Sequence, residues 1–186
     1  MLLNTLPLLA PLILLGAAFA PRFMEGVTAQ KGARIAEQAT LGGIAVAVAS
    51  AIVLGVNGSG DSFLLGLFGI GLSVRLDIVS IVMLLLVTFI GWIVVRYART
   101  YLDGEERQDA FTFWLLATLA AVLLLVQSGN VVQFVGAWIA TSMCLHKLLL
   151  FYPERIAAQR AAHKKYVMAR IGDVAVVGAA ILLAFA

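Results

Sequence analysis

Residues 138–173 read WIATSMCLHKLLLFYPERIAAQRAAHKKYVMARIGD. Two apolar segments, each long enough to span a bilayer, are joined there by a basic connection. His146 and Lys147 lie in the first segment, and Arg170 and Asp173 lie in the second. A charge at the centre of a bilayer costs about 2.5–3.5 kcal/mol on the mildest insertion scale, and such residues commonly mark ion or proton paths. This segment therefore predicts transport rather than simple anchoring.

The composition is that of an integral membrane protein. Of the 186 residues, 62% are hydrophobic and 12% charged, and the mean hydropathy is +1.03, whereas a soluble domain is about a quarter charged. The net charge of +3 does not indicate nucleic-acid binding, because the basic residues are concentrated in connections between apolar segments. Cys144 is the single cysteine, so the chain offers neither an internal disulfide nor a Cys/His zinc cluster.

Six apolar segments approach the length of about 20 residues that a helix needs to cross a bilayer. They cover residues 2–20, 39–56, 77–95, 111–126, 131–151 and 166–186. They lack the period-two alternation of a membrane β-barrel, so we predict an all-α bundle of about six transmembrane helices forming one transmembrane domain, 1–186. The first is expected to be a retained helix, since no basic residue precedes Arg22. Pro7 and Pro11 should kink it or loosen its early turns.

Basic residues predict the orientation. Ten of the thirteen lie in the connections 21–38, 96–110 and 152–165, whereas Arg75 alone lies in the connections at the opposite end of the bundle. The positive-inside rule then places these three connections in the cytoplasm and both termini outside.

Two further connections have recognisable patterns. Residues 128–130 (SGN) predict a tight turn between the fourth and fifth segments. Residues 57–76 are too short and glycine-rich for a seventh helix, so a short hairpin or an interfacial segment is expected.

The acidic run 103–109 is interpreted as a solvated loop, with a partner-docking face as the alternative.

Helical geometry brings the intramembrane charges together. A rise of 1.5 Å per residue places Lys147 and Arg170 about 9 Å from the cytoplasmic end and Asp173 about 13 Å from it. Arg170 and Asp173 are spaced i, i+3 and can pair, and Lys147 is expected to share the carboxylate. His146 adds a titratable group. The alternative is structural: Lys147 extends its amine to the interface, and Arg170–Asp173 holds helices together.

The segments VRLDIVSIVMLLLVTFIGWIVVRYARTYLDGEE (74–106), LLLVQSGNVVQFVGAWIATSMCLHKLLLFY (123–152) and AHKKYVMARIGD (162–173) carry a family resemblance. They resemble the N-terminal part of the antiporter-like membrane subunits of respiratory complex I and of multisubunit Na+/H+ antiporters. Lys164 and the Arg170/Asp173 pair match the pattern of that family. In complex I subunits the tryptophan corresponding to Trp138 is followed by a proton-transferring glutamate, whereas Ile139 follows here.

The motifs LHKLLLFYPER, AAHKK and the AR-x-G-D at residues 169–173 are similar to the DabB-type subunits of DAB inorganic-carbon transporters. That resemblance implies a large cytoplasmic partner that binds zinc and resembles β-carbonic anhydrase, with no cofactor in this chain. It also implies a docking region that includes Tyr152, Glu154, Arg155, His163, Lys164 and Lys165.

Together these observations predict an ion-conducting subunit of an inorganic-carbon uptake complex in a bacterial inner membrane, without catalytic activity of its own. Lys147, Asp173, Arg170 and His146 are its expected ion-translocation residues. A subunit of an Na+/H+ antiporter or of a complex I-like oxidoreductase is the alternative, and a scaffold whose charges only hold helices is a third. The coupling ion, H+ or Na+, and the substrate, CO2 or bicarbonate, stay open. We also expect six helices alone to expose their charges to lipid, so that another membrane chain or further helices cover the last two spans.

Overall fold

The computed structural model of the chain describes residues 2–23, 28–62, 65–67, 70–105, 107–152, 154 and 156–185. A 3₁₀ helix, Leu2–Leu8, precedes six α-helices: α1 (Leu9–Phe23), α2 (Ala29–Asn57), α3 (Ile78–Tyr101), α4 (Gln108–Val126), α5 (Val131–Leu149) and α6 (Ile156–Phe185). Among these residues, six helical segments are long and apolar enough to cross a membrane. The predicted all-α fold with six spans is therefore confirmed.

Several helices begin earlier than the apolar pattern predicted. Helix α2 starts at Ala29 rather than at residue 39, and α6 starts at Ile156 rather than at residue 166. Much of the predicted connections 21–38 and 152–165 is therefore helical, because Ala, Gln, Arg and Lys are strong helix formers even where they are too polar to face lipid. At the N-terminus, the 3₁₀ turn that contains Pro7 confirms the predicted loosening of the first span.

Helices α1 to α4 pack around a common core. Helix α1 contacts α2 and α4, while α3 contacts both α2 and α4. Leu14, Ala36, Leu84, Leu116 and Leu123, all at most 2% exposed, belong to this core. Helix α5 packs on α4, and α6 packs on α5, so the last two helices form an antiparallel pair attached to one side of the four-helix core.

Helices α3 and α4 approach closely at Gly91. A Cβ atom at this position would lie 2.9 Å from Cδ2 of Leu119. In lipid, where there is little hydrophobic drive between helices, such small residues let helices gain van der Waals contact.

The predicted hairpin between residues 57 and 76 is present as two short antiparallel pairs. Strand β1 (Gly60–Asp61) pairs with β4 (Arg75–Leu76), and β2 (Leu65–Leu67) pairs with β3 (Ile70–Leu72). The hairpin is tied to the α4–α5 turn, because Gly129 N donates to Ser73 O at 2.9 Å and Asn130 Nδ2 donates to Gly71 O at 2.8 Å.

Polar caps begin the helices that follow this hairpin and this turn. Asn130 Oδ1 accepts from Gln133 N at the start of α5, and Asp77 Oδ1 accepts from Ser80 N at 2.7 Å at the start of α3. The hydrogen bonds from Ser80, with a smaller effect from the Arg75 guanidinium, hold the pKa of Asp77 below its ordinary value. Because the pKa is lower in the folded state, this cap stabilises fully above the unfolded-state pKa and less as the pH falls through the folded-state value.

Gly91→Leu should destabilise the core, because the new side chain would overlap Leu119 and force α3 and α4 apart. Overpacking of this kind costs about 1–3 kcal/mol, so thermal unfolding of the purified chain in detergent should occur at a lower temperature. Gly16→Leu is the matched control, since nothing lies within 4 Å of a Cβ atom at Gly16. Equal unfolding temperatures for the two variants would contradict the close approach at Gly91.

Candidate functional site

The centre of the candidate site is the carboxylate of Asp173 in α6. Asp173 is 6% exposed, and each of its oxygens has a separate partner. Arg170 Nη2 lies 2.8 Å from Oδ2, and Trp138 Nε1 of α5 donates a hydrogen bond to Oδ1 at 3.1 Å. A buried carboxylate needs such partners, since an unpaired charge in a low-dielectric region is strongly destabilising.

Local geometry explains this arrangement. The i, i+3 spacing of Arg170 and Asp173 places both on one face of α6, as predicted. Trp138 is 39% exposed, and its indole, which is a donor only, donates its N–H to the buried carboxylate. The contact with Trp138 also fixes the register between the two helices, because it joins the eighth residue of α5 to a residue near the middle of the span Gln159–Leu183.

A second group of polar side chains lies toward the α5–α6 connection. Lys165 Nζ donates to Ser142 O of α5 at 2.8 Å. The ring of His146 packs against Tyr166 with centroids 4.8 Å apart, and the Arg170 guanidinium lies 5.1 Å from the centroid of the same Tyr166 ring. The same guanidinium pairs with Asp173, so the two groups adjoin and form one polar region between α5 and α6.

Lys147 lies outside this region. Its side chain is exposed, two residues before the end of α5, and the ion pair of Asp173 is with Arg170. Lys147 follows Trp138 by nine residues, so it is about 13 Å further along the helix axis than the level of Asp173. The expectation that Lys147 shares the layer and the carboxylate of Asp173 is therefore wrong. It assumed that α6 begins near residue 164, whereas α6 begins at Ile156.

The predicted exposure of the three charges to lipid is wrong for Asp173, which is buried. The side chain of Arg170 is 34% exposed, and that of Lys147 is exposed. His146 is half-buried.

The predicted docking residues separate into two groups. Tyr152, Glu154, His163 and Lys164 are exposed near the junction of α5 and α6. Lys165 is instead half-buried and bonded to α5, so it belongs to the polar region rather than to an outer surface. Arg155 lies outside the described residues.

The sequence-based reasoning missed two contributors, the indole of Trp138 and the amine of Lys165. In the sequence, Trp138 served only to locate the position of Ile139, although a tryptophan within a span needs an acceptor for its N–H. Lys165 was assigned to a connection because it ends a basic run. Neither contact follows from spacing alone, since each depends on the register between α5 and α6.

A separate ion-pair cluster joins α2 to α3. Glu37, with a side chain 16% exposed, pairs with Arg99 and lies 4.0 Å from the Nε atom of Arg96. These residues occupy the basic end of the bundle and not the polar region of α5 and α6. In the part of the chain that the structure describes, there is no group of three or more His, Cys, Asp or Glu residues that could hold a metal ion.

The fold and the buried charges are those of a multi-pass membrane protein with a polar region in its fifth and sixth helices. A family model described as NADH-ubiquinone oxidoreductase (complex I), chain 5 N-terminus, matches residues 63–112. The probable inorganic carbon transporter subunit DabB of Hydrogenovibrio crunogenus is 40% identical over 105 residues, which cover 56% of this chain and 20% of that protein.

Two other classes of relative are similar to the chain. NADH-quinone oxidoreductase subunit L of Escherichia coli is 33% identical over 109 residues, or 59% of this chain and 18% of the relative. Na(+)/H(+) antiporter subunit A1 of Staphylococcus aureus is 33% identical over 117 residues, or 63% of this chain and 15% of the relative. The chain thus spans about a fifth of the length of the relatives it matches or less. The resemblance inferred from the motifs is confirmed.

Trp138→Phe should destabilise the chain by removing the hydrogen bond to the buried carboxylate. Hydrogen bonds to charged groups contribute about 1.5–3 kcal/mol, so the unfolding temperature in detergent should fall. In an Asp173→Asn background the same substitution should reduce the free energy of unfolding by clearly less. A double-mutant cycle measures this difference.

Trp92→Phe is the matched control, because the indole nitrogen of Trp92 has no hydrogen-bond partner among the described residues. Additive effects of Trp138→Phe and Asp173→Asn would show that the indole and the carboxylate do not interact.

Proposed function

We propose that this chain is the ion-conducting part of an energy-coupled inorganic-carbon uptake complex in the inner membrane of a bacterium. The observation that carries the proposal is the partnered carboxylate of Asp173 near the middle of a membrane span. Ionisable groups at that depth are expensive and commonly belong to ion paths. The similarity to the DabB subunit supports inorganic carbon as the transported substrate.

In this proposal Asp173 exchanges a proton or binds a sodium ion, while Arg170 and Trp138 stabilise its charged form. His146 and Lys165 continue the polar region toward the junction of α5 and α6. Lys147 provides an exposed positive charge near the end of α5. The cation displaced from Asp173 would thus move along the α5–α6 interface toward the basic end of the bundle.

The orientation follows from the basic residues. With the three basic connections in the cytoplasm, both termini lie outside. The exposed residues Glu154, His163 and Lys164 then face the cytoplasm near the start of α6. In our proposal this surface, together with Tyr152 and Arg155, docks the zinc-binding, carbonic-anhydrase-like subunit that the DabB resemblance implies.

A membrane partner would cover α5 and α6. In an apolar stretch of 18 residues within each span, 11% is buried in α5 and 6% in α6, against 28–39% in the other four spans. All the relatives described above are, by name, subunits or chains of larger assemblies. Further helices of such an assembly would pack against this exposed surface and enclose Lys147.

A second candidate function is that of a subunit of an Na+/H+ antiporter or of a complex I-like NADH-quinone oxidoreductase. The similarity to antiporter subunit A1 and to oxidoreductase subunit L favours it. It predicts cation- or quinone-linked activity that does not depend on inorganic carbon. Ile139 disfavours it, because an isoleucine cannot transfer the proton that the glutamate of complex I subunits transfers at this position.

Asp173→Asn and Lys147→Ala should each abolish uptake while leaving the complex assembled, because each removes a charge from the proposed path. The measurement is growth in air of a carbonic-anhydrase-deficient bacterial host that expresses the complete complex, with assembly followed by co-purification. A scaffold role would instead make both variants affect assembly and growth together.

Lys31→Ala is the matched control for Lys147→Ala, since Lys31 is an exposed lysine near the start of α2, at the same end of the bundle. Normal growth with Lys147→Ala at unchanged expression would remove Lys147 from the mechanism. Normal growth with Asp173→Asn would remove the carboxylate that carries the proposal.

Lys164→Glu should release the zinc-binding partner, because it reverses a charge on the proposed docking surface without touching the polar region. The measurement is the amount of zinc and of partner protein that co-purify with the tagged chain. Lys31→Glu, the same reversal on α2, should retain both. Unchanged co-purification with Lys164→Glu would place the docking surface elsewhere.

A further inference from the structure

A groove lies between α5 and α6 at the end of the bundle opposite the basic connections. It has a volume of about 450 Å³, and its lining includes Arg75, Phe134, Val135, Val176, Ala180 and Leu183. A second cavity of about 390 Å³ adjoins it, since Val135, Ala180 and Leu183 line both. The groove is open rather than enclosed, and the α5 and α6 residues that line it are apolar.

Arg75 stands at the mouth of this groove. It is the one Lys or Arg in the connections at this end of the chain, and its side chain is 70% exposed. Asp77 approaches its Nε atom at 3.6 Å, yet the cation stays accessible. Strand β4 ends at Leu76 and α3 begins at Ile78, so Arg75 lies at the helix ends, where a bilayer spanned by α3 would have its headgroups.

We infer that this groove binds one anionic phospholipid. The phosphate group would pair with the Arg75 guanidinium, and an acyl chain would occupy the space between α5 and α6. A guanidinium suits phosphate because its planar N–H donors can bind two phosphate oxygens. The apolar residues of α5 and α6 in the lining suit a hydrocarbon chain. This site uses none of the residues of the proposed ion path, since it lies at the other end of α5 from Lys147.

The chain supplies a reporter for this lipid. Phe134 lines the groove and stacks on Trp138, with ring centroids 6.3 Å apart. A variant with Trp92→Phe and Trp114→Phe keeps Trp138 as its single tryptophan, because the sequence contains three. Bromine atoms on a bound acyl chain would then quench the fluorescence of Trp138.

The test reconstitutes this variant in phosphatidylcholine bilayers that contain increasing fractions of brominated phosphatidylglycerol, or of brominated phosphatidylcholine for comparison. We expect half-maximal quenching at a lower fraction of the anionic lipid. Arg75→Gln should reduce that preference about fivefold, the factor that corresponds to about 1 kcal/mol for one basic residue near an anionic lipid surface. Ala179→Phe, which adds volume in the groove, should reduce quenching by both lipids.

Lys31→Gln is the control for loss of one positive charge, because Lys31 lies at the other end of the bundle, and it should keep the full preference. Equal quenching by the two lipids, or an unchanged preference with Arg75→Gln, would overturn the inference. The inference would also be overturned if neither lipid quenched Trp138 and if two copies of the Ala179→Cys variant could be cross-linked. A second copy of the chain would then occupy the groove.

Discussion

The placement of α6 on α5 depends on one requirement, that the carboxylate of Asp173 has partners within the membrane. Arg170 supplies one partner from the same helix, at 2.8 Å, and the indole of Trp138 supplies the other from α5, at 3.1 Å. Rotating or sliding α6 against α5 would separate Asp173 from Trp138 while Arg170 stayed in place. The interhelical hydrogen bond therefore sets the register, and the bond from Lys165 to Ser142 lies in the same register further along the pair.

The two parts of the bundle are held together differently. In α1 to α4, small residues such as Ala36 and Gly91 bring helices into close contact, so van der Waals packing dominates. In α5 and α6 little of the surface is buried, and polar contacts join the helices. A well-packed core thus supports a pair of helices that polar contacts join to each other.

Much of the fold could be predicted from the sequence, because hydropathy marks each span and the pattern 57–76 indicates a hairpin. The ends of the helices could not be predicted in this way, because residues 156–165 belong to α6 although they are too polar to face lipid. In the site, the Arg170–Asp173 pair follows from i, i+3 spacing within one helix. The contacts of Trp138 and Lys165 could not be predicted, because hydropathy contains no information on how two helices are aligned. The misplaced start of α6 also put Lys147 in the wrong layer.

The distance between Lys147 and Asp173 restricts how a cation could pass between them. Their levels differ by about 13 Å along α5, whereas a hydrogen bond joins atoms about 3 Å apart, so direct transfer is excluded in this arrangement. Lys165 contacts Ser142, four residues beyond Trp138, and His146 packs on Tyr166 four residues further along. These two side chains divide the distance into steps that water molecules can bridge. In the proposed path, His146 and Lys165 would therefore be the intermediate groups, and Lys147 would be the last charge rather than a partner of Asp173.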